Sequence, residues 1–169
     1  MTQFAFSFDD SRCSGCYACV VACQDQNDHM DGDTAFRQVV TAAPGTVSSV
    51  LFRCFSISCF HCGDAPCLKV CPTGAIRRRS DPGSIEVDQE RCIGCRSCLS
   101  VCPFGAPQFT GDGKMAKCHL CSIRLAQDLK PACVSVCTTN ALEIKPLADI
   151  SRQKAQHAST LIMKAGLGK

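Results

Sequence analysis

The stretch Cys92-Ile93-Gly94-Cys95-Arg96-Ser97-Cys98-Leu99-Ser100-Val101-Cys102-Pro103 decides the reading of this chain. Its spacing is C-x2-C-x2-C-x3-C-P. That spacing holds a 4Fe–4S cubane by its first three cysteines and lends the fourth to a second cluster. One such run therefore predicts at least two clusters and a further cysteine motif elsewhere. Three more are present: Cys13-x2-Cys16-x2-Cys19-x3-Cys23, Cys59-x2-Cys62-x4-Cys67-x3-Cys71 and Cys118-x2-Cys121-x11-Cys133-x3-Cys137.

Working outward, 169 residues suit one domain, and 17 of them are Cys. In a short secreted chain that density reads as a disulfide scaffold. Here the cysteines fall into C-x2-C groups. The opening Met1-Thr2-Gln3-Phe4-Ala5-Phe6 has no basic n-region, no long apolar core and no Arg-Arg pair. Metal ligation in a reducing, cytoplasmic compartment is the expectation. No apolar run reaches the roughly 18 residues of a membrane span. With no Trp and one Tyr the conventional core is thin. Clusters would replace part of it, because metal-binding free energy is also folding free energy.

The formal charge of +3 misleads. Four cubanes with 2+ cores, each held by four thiolates, bring the chain to about −5. That excludes a nucleic-acid partner despite Arg77-Arg78-Arg79. The triplet reads as a solvated hairpin strand, or as a docking site for an acidic surface.

Taken in order, residues 3–8 alternate Phe4, Phe6 and Phe8 with small or polar residues and predict a strand. Motif one runs into a helix from 20 to about 29, ended by Asp31-Gly32-Asp33. Residues 34–41 and 47–57 read as strands around Pro44-Gly45. Short strands at 75–78 and 84–87 flank Asp81-Pro82-Gly83. A further turn falls at Gly111-Asp112-Gly113, a last strand at 141–145, and a terminal helix from about 150. Three motif exits repeat: Cys71-Pro72-Thr73-Gly74-Ala75-Ile76, Cys102-Pro103-Phe104-Gly105-Ala106-Pro107 and Cys137-Thr138-Thr139-Asn140-Ala141-Leu142. The Gly suits a left-handed turn into a strand, and Asn140 is the next most tolerant residue there. This repetition of one unit points to duplicated modules.

Every motif ends in C-x3-C, which places both cysteines on one helix face. A short helix between two cubanes can thus feed both. The x4 and x11 gaps lengthen loops that can aim backbone N–H groups at sulfur, raising the reduction potential. Zinc sites also use C-x2-C, but zinc does not account for x2-x2 spacing followed by x3 and Pro. Sixteen ligands leave Cys54, in the strand-like Leu51-Phe52-Arg53-Cys54-Phe55, as a small buried core residue. His61 and His119 lie inside C-x2-C loops, where they can hydrogen-bond to cluster sulfur. No nucleophile–base pair, paired-carboxylate site or P-loop occurs, so the chain reads as non-catalytic.

Cys13-Ser14-Gly15-Cys16-Tyr17-Ala18-Cys19, Cys59-Phe60-His61-Cys62-Gly63-Asp64-Ala65-Pro66-Cys67, the 92–103 run, and Lys117-Cys118-His119-Leu120-Cys121 with Lys130-Pro131-Ala132-Cys133 carry a family resemblance. In this order the motifs resemble the iron–sulfur electron-transfer subunits of the dimethyl sulfoxide reductase type, including hydrogenase and formate dehydrogenase relatives. The resemblance covers residues 4–145. It implies an α+β fold of two interleaved bacterial-ferredoxin-like modules, each 2×[4Fe–4S], with short helices and small antiparallel hairpins. Motifs 13–23 and 118–137 would build one module, and 59–71 and 92–102 the other, within residues 1–146. It further implies four [4Fe–4S] clusters. Site A would take Cys13, Cys16, Cys19 and Cys137; site B Cys118, Cys121, Cys133 and Cys23. Site C would take Cys59, Cys62, Cys67 and Cys102; site D Cys92, Cys95, Cys98 and Cys71.

The implied function is one-electron relay between a large catalytic oxidoreductase subunit, of the Mo/W-pterin type, and a second redox partner such as a flavin subunit or ferredoxin. The chain is shorter than the larger members, which favours the compact subunits of soluble enzymes over a quinone-linked membrane complex. Tungsten aldehyde oxidoreductases and benzoyl-CoA reductases have such subunits, and soluble hydrogenases and formate dehydrogenases are close competitors. A free polyferredoxin carrier and a zinc-stabilised interaction module are the rivals. The Cys-free tail, 147–169, carries Arg152, Lys154 and Lys164 and the apolar Leu161-Ile162-Met163. It reads as a docking helix, for the catalytic subunit or, by head-to-tail self-association, for another copy.

Overall fold

The computed structural model describes residues 3–28, 35–42 and 53–166. Four antiparallel two-stranded ribbons alternate with short helices that carry the cysteines. β1 (Phe4–Phe8) pairs with the last strand, β8 (Leu142–Pro146), with Phe6 opposite Ile144. The alternating aromatics expected near the N-terminus do what a period of two requires. Phe6 and Phe8 pack with Val134, Leu142 and Cys133 in one small core. A second core joins Ile76 of β4 (Ile76–Arg78) and Ile85 of β5 (Ile85–Val87) to Ala65, Cys98 and Met115. The Phe4 amide donates to the Pro82 carbonyl at 3.1 Å and ties the two halves together.

β2 (Gln38–Ala42) and β3 (Arg53–Ile57) pair as the expected hairpin; β2 opens later than the sequence pattern suggests, and residues 47–52 of the expected second strand lie outside the described residues. The turn at Pro44-Gly45 lies outside the described residues, as does Asp31-Gly32-Asp33. β6 (Gln108–Phe109) and β7 (Met115–Ala116) flank the expected Gly111-Asp112-Gly113 turn.

α1 (Ala18–Gln26) opens two residues earlier than expected, because Tyr17 takes a left-handed conformation, φ 61°, that turns the motif loop into the helix. The other cysteine helices are about one turn each. α2 (Pro66–Val70) starts on a proline, whose missing N–H is free at a helix start. It stops before Cys71-Pro72, since the residue ahead of proline avoids helical geometry. α3 (Ser97–Ser100) and α5 (Ala132–Ser135) end within a residue or two of Cys102 and Cys137. The x11 gap holds a helical turn of its own, α4 (Ser122–Leu125), where the sequence suggests only a loop.

α6 (Leu147–Gly166) starts three residues before the expected point. The Leu147 amide donates to the Gln3 carbonyl at 2.8 Å, so the helix springs directly from the end of the β1–β8 ribbon. Among the described residues, no helix is long and apolar enough to cross a membrane.

Candidate metal centres

The motif loops come in two backbone shapes. In motif one, Gly15 and Tyr17 have φ 67° and 61°; in motif three, Gly94 and Arg96 have φ 68° and 63°. Two left-handed residues, separated by one cysteine, wrap each loop and deliver the third cysteine to a helix. Motifs two and four share the other shape. His61 and Leu120 are left-handed, and their amides donate to Cys59 Sγ and Cys118 Sγ at 3.5 and 3.4 Å. The exits agree as the repeat predicts: Gly74, Gly105 and Asn140 have φ 61°, 60° and 50°.

Cysteines from different motifs meet. Cys71 lines one cavity with Cys92, Cys95 and Cys98, with an empty volume of about 330 Å3. Cys102 lines another with Cys59, Cys62 and Cys67, of about 380 Å3. α2 packs on α3, and each helix sends its last cysteine to its neighbour's cavity. α1 packs on α5 in the same manner. Cys23 has Cys118, Cys133 and Cys121 as electrostatic neighbours, whereas Cys13 has Cys54, Cys19 and Cys137. Cys118 also senses Cys59, and Cys133 senses Cys19. The four groups therefore run in one order, D, C, B, A.

The donor set fits cubanes. Among the described residues, no group of three or more His, Cys, Asp or Glu closes on a single-ion position. Two of the groups, Cys71 with Cys92, Cys95 and Cys98, and Cys102 with Cys59, Cys62 and Cys67, stand around cavities, as ligands enclosing a multi-iron group must. N–H groups point at the sulfurs: besides His61 and Leu120, the amides of Met115 and Leu142 donate to Cys92 and Cys137 at 3.3 and 3.4 Å. At the end of the x11 gap the Ala132 amide also serves Cys121.

Burial divides the thiols. It pushes Cys23 up to about 12 and raises Cys118, Cys121 and Cys133 as well, so these sites need compensating charge to hold thiolates. Burial also pushes at Cys71 and Cys137. There, Thr73 with the Ile76 and Ala75 amides, and the Leu142 and Ala141 amides with Thr139, carry the thiol below its ordinary value. Cys102 stands at the equivalent exit. Phe104 replaces the threonine, and Pro107 has no N–H to give at the position of Ile76 and Leu142. Of the seventeen cysteines only Cys16 and Cys95 are exposed, one in the first group of the order and one in the last.

Several side chains depart from expectation. Arg78 does not lie in solvent; it donates to the carbonyls of Cys62, Gly63 and Gly83 and clamps the motif-two loop. Arg77 and Arg79 are the solvated members, ion-paired to Asp88 and Glu86. Cys54 is half-buried rather than buried, and its Sγ lies 2.6 Å from where a Cβ on Gly15 would stand. The His119 ring bonds Asn27 Oδ1 at 2.8 Å. His61 Nδ1 accepts from the Ile85 amide at 2.9 Å, leaving Nε2 to carry the proton. That Nε2 is buried, with no hydrogen-bond partner among the described residues. Burial holds this imidazole neutral, its pKa down at about 2. The sequence reading missed two buried cations. Arg37 is 2% exposed and Lys117 4%. Lys117 Nζ donates to the Ile85 and Cys118 carbonyls and lines the Cys59–Cys102 cavity. A lone basic residue in a strand-like run, or before a cysteine, gives no sign of burial in the sequence.

Known proteins match along most of the chain. The 4Fe-4S dicluster domain family matches residues 50–146, and a 4Fe-4S binding domain matches residues 10–28. A probable anaerobic dimethyl sulfoxide reductase chain of Escherichia coli is 42% identical over 162 residues, covering 90% of this chain and 78% of its own. The thiosulfate reductase electron transfer subunit of Salmonella typhi is 42% identical over 156 residues, covering 90% and 80%. A formate dehydrogenase iron-sulfur subunit of Wolinella succinogenes is 38% identical over 160 residues, covering 81% and 78%. Motif spacing, crossed cysteines and these likenesses agree: the chain belongs to the 4Fe-4S dicluster family, among the iron–sulfur electron-transfer subunits of oxidoreductase complexes.

Proposed function

We propose that the chain is a non-catalytic wire of four [4Fe–4S] clusters, with ligand sets A to D as the resemblance implies. The clusters supply one-electron carriers. The protein holds them in line, packs small apolar cores such as Ile76, Ile85 and Met115, and Val134 and Leu142, against their cysteines, and aims N–H groups at their sulfurs. The carrying observation is the pattern of exposure. Cys16 and Cys95 alone are exposed, at opposite ends of the order D–C–B–A, each beside exposed apolar residues: Tyr17 and Val21 at one end, Ile93 at the other. Electrons enter at one end and leave at the other, and the middle sites are insulated.

One end meets a large catalytic oxidoreductase subunit, for which a Mo/W-pterin enzyme is the proposal. The other meets a second redox partner, and α6 supports docking. The two interleaved modules, with 147–169 as a separate tail, are the domain division this reading uses. Sixteen cysteines assigned to clusters rather than to disulfides suit a reducing, cytoplasmic compartment.

Anaerobically purified protein should hold about sixteen iron and sixteen acid-labile sulfide per chain, the content of four Cys₄ cubanes. About twelve of each would remove one site. A large Mo- or W-containing chain should co-purify; its absence, with all clusters present, leaves a free polyferredoxin carrier.

A further inference from the structure

α1 is capped by Asn27, one helical turn beyond Cys23. The Asn27 side chain folds back onto that cysteine. Its Nδ2 donates to the Cys23 carbonyl at 2.6 Å and stands 3.8 Å from Cys23 Sγ. Its Oδ1 lies 2.8 Å from His119 Nε2. A carbonyl only accepts, so the end of the amide turned to Cys23 must be the NH2. Oδ1 therefore accepts, and His119 Nε2 carries the proton and donates it. One hydrogen of the NH2 serves the carbonyl, and the other is left for the sulfur.

His119 sits in motif four between Cys118 and Leu120. These hydrogen bonds thus join the last cysteine of motif one to the loop of motif four. A second tie braces the same junction. Arg124 of α4 donates from Nη1 to Gln26 Oε1 at 3.2 Å and from Nε to the Lys130 carbonyl at 2.8 Å. Asn27 lies one turn from Cys23, and His119 lies beside Cys118, both assigned to site B. Cys19, which α1 gives to site A, is about 12 Å back along the helix. His119 reaches sulfur through Asn27 rather than directly.

We infer that His119 and Asn27 form a relay that fixes an amide N–H on Cys23 Sγ and raises the reduction potential of site B. This rests on the four-cubane reading above. A cubane on four thiolates changes from about −2 to about −3 on taking one electron. An N–H aimed at a ligand sulfur favours the more negative state. Without the His119 donor, Oδ1 turns to solvent for a partner, and Nδ2 leaves the sulfur with it. Asn27 touches a ligand sulfur; His119 is a positioning residue that acts through Asn27.

The test is an EPR-monitored redox titration of anaerobic holoprotein, with iron and sulfide counted on the same samples. The site B signal is the one that Cys118→Ser alters. Asn27→Leu keeps the side-chain volume and removes the amide. It should lower the site B midpoint by roughly threefold or more in the reduction equilibrium, about 28 mV at about 59 mV per decade for one electron. His119→Phe should lower it by less, and His119→Gln, which keeps an N–H donor, should restore most of it. Full iron with all four midpoints unchanged in Asn27→Leu refutes the relay. An equal shift at all four sites also refutes it, as a general structural effect. Wild-type protein supplies a second readout, which decides if Asn27→Leu loses iron. With 15N in the asparagine side-chain amides, the reduced site B signal should carry a 15N hyperfine coupling from Asn27. The other asparagine, Asn140, stands at the Cys137 exit, on site A. A full iron count without that coupling overturns the relay alone, whereas about twelve iron per chain overturns the four-cubane reading instead.

Discussion

At the scale of single residues, the tight loops leave some positions no freedom. Gly94 has φ 68°, and a Cβ there would stand 2.5 Å from the Gly113 carbonyl oxygen. The obstacle is backbone from the 110–114 turn and cannot swing aside as a side chain does. Gly111, two residues earlier in that turn, has nothing within 4 Å of an added Cβ and no positive φ. Gly94→Ala therefore meets the left-handed penalty of about 1–2 kcal/mol plus the clash. The expected result is a melting point lower by about 4–8 °C in anaerobic holoprotein, taking about 2 kcal/mol for a chain of this size. Gly111→Ala should lie within about 1 °C of wild type, since a Cβ in open space changes stability by a few tenths of a kcal/mol. Equal melting points for the two variants would remove the close approach as the cause. The glycine itself is plain in the sequence. Its neighbour Gly113 is not, because the contact depends on how the β6–β7 ribbon folds back over motif three.

The helical elements explain why the fold was largely legible. Spacing alone places C-x3-C cysteines on one face and proline after two of them, and both fix where short helices stop. The exits were legible too, because Gly and then Asn tolerate their left-handed backbone best. What pattern could not reveal was a backbone shape shared by unlike residues, as at the left-handed Tyr17 and Arg96. Nor could it reveal contacts made by single side chains, such as the buried Arg37 and Lys117 and the half-buried Arg78. The crossing of cysteines between cavities is an element-scale property with its own test. Cys102 leaves the end of α3 and lines the cavity of Cys59, Cys62 and Cys67. Cys102→Ser should therefore alter the EPR signal of site C and leave site D, whose other three ligands share its motif, near normal. Cys54→Ala is the control. Its thiol packs on Gly15 next to Cys13, and its loss should leave four clusters. Damage to site D in the first variant, or loss of a cluster in the control, would overturn the ligand sets.

At the scale of the whole molecule, the cores are small and sit against cysteines, so the clusters themselves must hold much of the fold together. α6 stands outside that economy. It has 20 residues, about 30 Å of helix, and none is buried. Its first turn is attached: Leu147 bonds Gln3, and Lys145 reaches Gln153 Oε1 at 3.3 Å. Beyond it an open cleft separates Gln153 and His157 from Asp9 and Asp10. Leu161, Ile162 and Met163 are 53%, 72% and 67% exposed. An isolated helix of this length is marginal in water, and covering those three side chains would contribute about 1.5–3 kcal/mol each. Contacts with the chain's own body do not supply that burial, so a partner is the proposed source. The informative cut falls after Ile150, not before Leu147, because removing Leu147 would also release the β1–β8 ribbon. The shortened chain should keep its iron and sulfide and melt within about 2 °C of wild type, as a change under about 1 kcal/mol implies. Its co-purification with the catalytic subunit should fall at least tenfold. Unchanged binding with intact clusters would exclude docking through α6. Lost iron would show instead that the helix braces the body, against the burial pattern along residues 151–166.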